Sequence, residues 1–254
     1  MVRHVIGLLG ALQFLTRVPI RTEEEIPHHR VVPWFPIAGL VIGSTVGAVA
    51  ATGSELLPPL VTAAVAVTVG LLVTGAFHED GLADIADAFG GGWTVERRLE
   101  ILKDSRHGTY GVAALTASVA LRIAAGASIP TATALFASFV AAHVLGRSAA
   151  VIAMRSAPPA TDSGLGVSAA AALKPVPTAA GLASGLAIVS GLVGWWVLPF
   201  LAATMVGTAG TVVLARRKIG GLAGDVLGAV EQVVECLVLV TASGLAARHG
   251  LWWD

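Results

Sequence analysis

The sequence predicts an all-α, polytopic integral membrane bundle, and three observations carry that reading. Of 254 residues, 55% are apolar and only 13% are charged, against about 45–50% and about 25% in ordinary soluble domains. The mean hydropathy is +0.81. The apolar residues also gather into about seven long stretches, each near the roughly 20 residues that cross a bilayer. Such stretches must be helical, because lipid offers no partner to backbone N–H and C=O groups. This composition excludes a disordered chain and an ordinary soluble enzyme. The formal net charge is zero, so no basic field points to a nucleic-acid partner. The single cysteine, Cys236, excludes an intrachain disulfide and a cysteine-built zinc site.

Residues 1–30 form an N-terminal segment distinct from the spans. Val5–Leu15 is apolar but short, with Arg3 and Arg17 near its ends and no small-residue cleavage site behind it. It reads as an interfacial or re-entrant helix that stays on the protein. A polar loop, Arg21–Arg30, carries Glu23, Glu24 and Glu25. The expected spans are then Val31–Leu57, Leu60–Phe77, Gly108–Ile129, Ala132–Met154, Val176–Val197, Leu198–Ala215 and Val226–Ala247, with the fifth and sixth split near Pro199. Small residues pervade all of them and let helices approach closely. With seven spans and an inside N-terminus, one face collects thirteen Lys and Arg residues and the other only Arg248. That asymmetry places segments 78–107, 155–175 and 216–225 in the cytoplasm. The chain reads as one membrane-embedded domain, 1–254, in the cell (inner) membrane, with no internal repeat.

The longest polar break, His78–His107, carries Asp80, Asp84 and Asp87 at i, i+4 and i+7. A helix puts all three on one face, with Leu82, Ile85 and Ala86 opposite. Carboxylates so close repel unless a cation lies between them, and Mg²⁺ uses a few carboxylates plus substrate phosphates. The bland alternative is a solvated surface helix with Asp80 as its N-cap. Thr94 is placed to cap a short helix, Val95–Leu102, which leads into Lys103-Asp104-Ser105-Arg106-His107-Gly108. Arg106 and Lys103 suit phosphate charge, and Ser105 adds a hydroxyl. Arg97 and Arg98 read more simply as a positive-inside anchor.

A third cluster follows Arg216 and Arg217: Gly220, Gly221, Gly224 and Gly228 surround Asp225. The glycines allow close backbone approach. Asp225 is either the N-cap of the last helix or part of the site. Glu231 and Glu235 follow inside an apolar run, and Arg122 and Arg147 are equally deep. Ionisable groups at that depth face a cavity or a partner, so these four are either a structural ion-pair set or functional. The three clusters converge on the cytoplasmic mouth, which suggests metal-assisted phosphoryl chemistry.

Phe14-Leu15-Thr16-Arg17-Val18-Pro19, Phe35-Pro36-Ile37-Ala38-Gly39 and Thr74-Gly75-Ala76-Phe77-His78-Glu79-Asp80-Gly81-Leu82-Ala83-Asp84 resemble the cobalamin synthase family (adenosylcobinamide-GDP ribazoletransferase, cobalamin-5'-phosphate synthase). Asp104-Ser105-Arg106-His107-Gly108-Thr109-Tyr110-Gly111 and Gly220–Ala229 match its later motifs in order, and the resemblance runs from about residue 8 to about 240. It implies a Mg²⁺-dependent membrane transferase of cobalamin biosynthesis. Its substrates would be the corrinoid adenosylcobinamide-GDP and α-ribazole or α-ribazole 5'-phosphate, and it would release GMP. The resemblance implies Asp80, Asp84 and Asp87 as metal ligands, with Asp104 and Asp225 completing the site. Lys103, Arg106 and Arg216 or Arg217 would offset charge on GMP, and His78 is the candidate general base. Arg147, Ser105, Gly221, Gly224 and Glu231 are carried as substrate-binding candidates, and a homo-oligomer is compatible with all of this. Departures are Glu79 where an apolar residue is usual, Ala76 and Ala88 where Gly is common, and His107 where an aliphatic residue is common. Glu79 either adds a ligand or faces water. A CDP-alcohol phosphotransferase fits less well, because no Ala-Arg pair follows the first aspartates. A transporter leaves the Asp80–Asp87 cluster unexplained.

Overall fold

Small residues decide how the helices of this chain meet. The computed structural model describes residues 2–20, 26–161, 168, 170–171 and 173–253; the acidic run 23–25 lies outside them. In order, the described residues form α1 (Val2–Leu15), α2 (His28–Val31), a 3-10 turn (Val32–Trp34), α3 (Phe35–Ser54), α4 (Pro59–Thr74), α5 (Phe77–Gly91), α6 (Val95–Ile101), α7 (Thr109–Ala127) and α8 (Ala132–Ala153). There follow α9 (Pro175–Val193), a second 3-10 turn (Gly194–Trp196), α10 (Val197–Ile219) and α11 (Gly224–Ala246). The fold is all-α, and each of the seven apolar stretches lies on helix. Among the described residues, five helical stretches are long and apolar enough to cross a membrane, with Pro175–Ile219 taken as one; they are six if the bent pair α4–α5 is one span.

The central helix is α8, buried along almost all of its length and packed against α3, α9, α10 and α11. Gly39, Gly43 and Gly47 line one stripe of α3. A Cβ there would come within 2.6 Å of the His143 carbonyl oxygen, 2.8 Å of Val140 Cα and 2.9 Å of the Phe136 carbonyl oxygen. Only bare backbone admits this contact, the membrane version of small-residue packing. The N-terminal helix α1, too short to span, buries Ala11 and Leu15 in the core.

Two boundaries differ from the sequence expectation. The break between α9 and α10 falls at Gly194, with φ 57° and ψ −130°, and not near Pro199. Glycine adopts that conformation freely, whereas Pro199 sits in the first turn of α10, where its missing N–H costs nothing. Asp225 is not the N-cap of α11; Ala223 holds that position and Asp225 lies in the first turn.

The α4–α5 turn aims the polar segment. Gly75 (φ 67°) ends α4 and Ala76 (φ 57°) begins α5, which departs at 91° across the end of the bundle. Among the described residues Ala76 is the one non-glycine with positive φ, a conformation that costs an L-residue about 1–2 kcal/mol. Ala76→Gly is expected to stabilise the protein by about 0.5–1 kcal/mol, after glycine's own entropic cost. The melting midpoint in detergent checks it, and a fall would count against the strain.

Once turned, α5 crosses α11 at Gly81 and Gly228. A Cβ on Gly81 would lie 2.8 Å from the Asp225 carbonyl oxygen, so the crossing brings Asp225 beside the α5 carboxylates. The same end is tied elsewhere. Ala160 N–H donates to the Leu222 carbonyl (2.8 Å) and Leu222 N–H to the Pro158 carbonyl (2.9 Å). Arg98 donates to the Gly92 carbonyl (2.9 Å) and the Lys218 carbonyl (2.8 Å), locking α6 to α10.

Candidate active site

The turned helix α5 presents Asp80 and Asp84 one turn apart, and the α6–α7 loop lays His107 over both. Its Nε2 is 3.5 Å from Asp80 Oδ1, and its Nδ1 is 3.5 Å from Asp84 Oδ1. The three side chains offer ligand atoms within 4.8 Å of one another. Partial burial pushes the Asp84 carboxyl up to about 6, with Asp80 and Asp225 adding repulsion and His107 opposing it. Carboxylates held together against their own repulsion are a donor set that a hard divalent cation would fit.

Asp87 stands apart, although it shares the helix face. Its carboxylate accepts the N–H groups of Gly108 (2.6 Å) and Gly111 (2.9 Å), so it anchors the start of α7. Asp104 also does other work. Arg106 grips it at 2.9 and 2.7 Å, and those bonds hold its carboxyl down at about 2. Helical spacing groups Asp80, Asp84 and Asp87; the approach of α7 divides them.

Two cavities flank Asp80. The first, of about 350 Å³, reaches His78, Lys103, Arg147, Gly224 and Asp225 along an apolar wall that includes Phe35, Leu102 and Met154. The second, of about 480 Å³, lies between the end of α1 and the α4–α5 turn and is lined by Arg17, Thr74, Glu79, His107 and Leu115. Phe14 and Phe77, in edge contact at 5.5 Å, line both.

The sequence candidates therefore separate. His78, Asp80, Lys103, Arg147, Gly224 and Asp225 share the first cavity. Asp84 stands beside it, in contact with His107. Ser105, Arg106, Arg216 and Arg217 are exposed and line neither cavity. Gly221 is taken up by structure, since a Cβ there would meet the Pro158 carbonyl oxygen at 2.4 Å. Thr94 does cap α6, accepting from Arg97 N–H at 3.2 Å.

Beneath the cavities lies a buried charged network. Arg122 reaches Glu79 Oε1 (3.0 Å) and Glu235 Oε2 (3.3 Å). Arg147 pairs with both Glu231 and Glu235 and donates to His143 Nδ1 at 2.8 Å. His78 Nδ1 is 3.5 Å from Glu231 Oε2, and Gln232 Nε2 donates to that same oxygen at 3.0 Å. Glu231 thus lies under the first cavity, bound to two residues that line it. Glu79 does not face water: it is 4% exposed. Sequence reasoning left Glu79 open, as an added ligand or a group facing water, and gave His107 and Arg17 no role; Glu79 and His107 stood out there as departures from the pattern the sequence resembles, and Arg17 sat in one of its motifs.

Residues 7–243 match the cobalamin-5-phosphate synthase family. The chain is 37% identical to the adenosylcobinamide-GDP ribazoletransferase of Bradyrhizobium diazoefficiens, over 95% of each chain. It is 43% identical to that of Rhizobium etli, over 93% of this chain and 95% of the relative. With that of Vibrio cholerae it shares 32%, over 91% and 90%. No solved structure matches the chain.

Proposed function

The chain belongs to the cobalamin-5-phosphate synthase family, and on that premise we propose that the cleft around Asp80 and Asp84 joins adenosylcobinamide-GDP to α-ribazole or its 5'-phosphate. A ribose hydroxyl attacks the corrinoid-side phosphorus. The new P–O bond forms, the P–O bond to GMP breaks, and the hydroxyl proton passes to a base. Adenosylcobalamin, or its 5'-phosphate, and GMP leave.

The observation that carries this reading is the meeting of Asp80 and Asp225 with Lys103, Arg147 and His78 in one cavity. Asp80, Asp84 and Asp225 would hold Mg²⁺, and the chemistry such an ion supplies is neutralisation of diphosphate charge. Lys103 provides fixed positive charge for the departing GMP phosphate, a role for which Arg106, Arg216 and Arg217 stand too far out on the surface, while Arg147, already paired with Glu231 and Glu235, fixes the floor of the cavity. His78 is the base, since it lines the cavity with its Nδ1 3.5 Å from Glu231 Oε2, and burial together with the Arg147 charge keeps its imidazole neutral and able to accept a proton. The corrin ring, too large for a cavity of about 350 Å³, rests at the mouth. The mouth faces the cytoplasm, as the bias of Lys and Arg favours, in the cell membrane.

The test uses detergent-solubilised protein with adenosylcobinamide-GDP and α-ribazole 5'-phosphate, with Mg²⁺ or EDTA. Corrinoid product and GMP are followed by mass spectrometry. Equal amounts of both are expected with Mg²⁺ and none with EDTA. Because the Asp84 carboxyl titrates near 6, protons compete with metal below that pH. At limiting Mg²⁺ the rate is expected to fall as pH drops from 7 to 5, and excess Mg²⁺ to restore part of it. A metal requirement independent of pH would argue against Asp84 as a ligand.

A further inference from the structure

The Phe14–Pro19 motif and the turn before α5 meet in space, yet the reaction above gives them no task. Arg17 N–H donates to the Val73 carbonyl at 2.7 Å. Its side chain lies over Gly75, where a Cβ would fall 2.2 Å from Nε. Together they wall the second cavity.

The lining of that cavity is polar at two points and apolar between. Glu79 is on one side, with Oε1 held by Arg122 at 3.0 Å. Its Oε2 is buried and has no hydrogen-bond partner among the described residues. Buried carboxylate oxygens are normally satisfied, so Glu79, which lines this cavity, carries a carboxylate still short of a donor. Arg17 is exposed at the rim, and among the described residues no carboxylate pairs with it, so its charge selects an anion. Phe14, Phe77 and Leu115 supply apolar surface. Hydroxyl donors, an anion and a flat apolar body together describe a nucleoside monophosphate. Asp80 borders both cavities, so a hydroxyl in the second faces a phosphorus held in the first.

Resting on the function proposed above, we propose that the second cavity is the subsite of the attacking substrate, with Glu79 accepting from its ribose and Arg17 holding its 5'-phosphate. The test measures KM for adenosylcobinamide-GDP, α-ribazole and α-ribazole 5'-phosphate in wild type, Arg17→Gln, Glu79→Gln and Leu115→Trp. Arg17→Gln is expected to raise KM for the phosphorylated form by about tenfold or more, leaving KM for α-ribazole and for the corrinoid unchanged. Glu79→Gln and Leu115→Trp should raise KM for both ribazole forms. Leu115→Trp fills the cavity from α7 without touching the charged network. Product inhibition by GMP, a second nucleoside monophosphate, should be unaffected by Arg17→Gln. Unchanged ribazole KM values in all three variants, an equal rise in corrinoid KM, or weakened GMP inhibition in Arg17→Gln would overturn the assignment. If wild type forms no product, the reaction itself is wrong. Calorimetric binding of α-ribazole 5'-phosphate to wild type and Arg17→Gln then still decides the cavity: tighter binding by wild type supports it, and equal binding refutes it.

Discussion

Asp84→Asn is expected to lower kcat by about 100-fold or more without weakening the fold at neutral pH. Both halves follow from where the carboxylate sits. It borders Asp80 and His107, and it titrates near 6 through burial and the repulsion of Asp80 and Asp225. Its folded pKa is raised above the unfolded value, so the stability it contributes is present below about pH 4 and lost as pH rises through 6. At pH 8 without divalent cation, wild type has lost that contribution and Asn has none to lose. The variant should therefore melt no lower than wild type at pH 8, and the comparison should move in wild type's favour at pH 4. This is the trade expected where a site is kept for function at the expense of stability. Asp87→Asn is the contrast. Asparagine cannot serve Gly108 N–H and Gly111 N–H with the charge that Asp87 brings, so this variant should lose stability at neutral pH and retain the metal response. Activity from Asp84→Asn within threefold of wild type would remove it from the reaction.

Much of this arrangement was legible beforehand. Helical period put Asp80 and Asp84 on one face, and composition and hydropathy indicated the all-α membrane bundle. What the sequence withheld came from tertiary approach. The period also put Asp87 with its neighbours, but α7 begins against that carboxylate and draws it into its own first turn. Arg106 suits phosphate charge by its chemistry, but Asp104 is two residues away and reaches it first. His107 enters the cluster only because the α6–α7 loop folds back over α5. The break at Gly194 was hidden for another reason: Pro199 is the louder signal in a sequence, yet a proline in a first turn breaks nothing.

Arg122→Met is expected to be the most destabilising single change, by about 3–5 kcal/mol, because it leaves buried carboxylates with too few partners. Glu79 and Glu235 both lean on this guanidinium, at 3.0 and 3.3 Å, and all three side chains are nearly inaccessible. Among the described residues Glu79 has no other cationic partner, whereas Glu235 keeps Arg147 and His143. Adding Glu79→Leu to Arg122→Met therefore removes one charge of each sign, and the double variant should recover more than half of the lost stability in a thermal or denaturant melt. Its recovery would show that the Glu79–Arg122 pair is an exchangeable inset in the bundle and not what holds it together. The function proposed for Glu79 then separates from its packing. In the double variant the fold should return while KM for α-ribazole stays raised, because leucine has no oxygen to accept a ribose hydroxyl. A double variant that melts as low as Arg122→Met would show that Glu235, and not Glu79, is the carboxylate that needs Arg122.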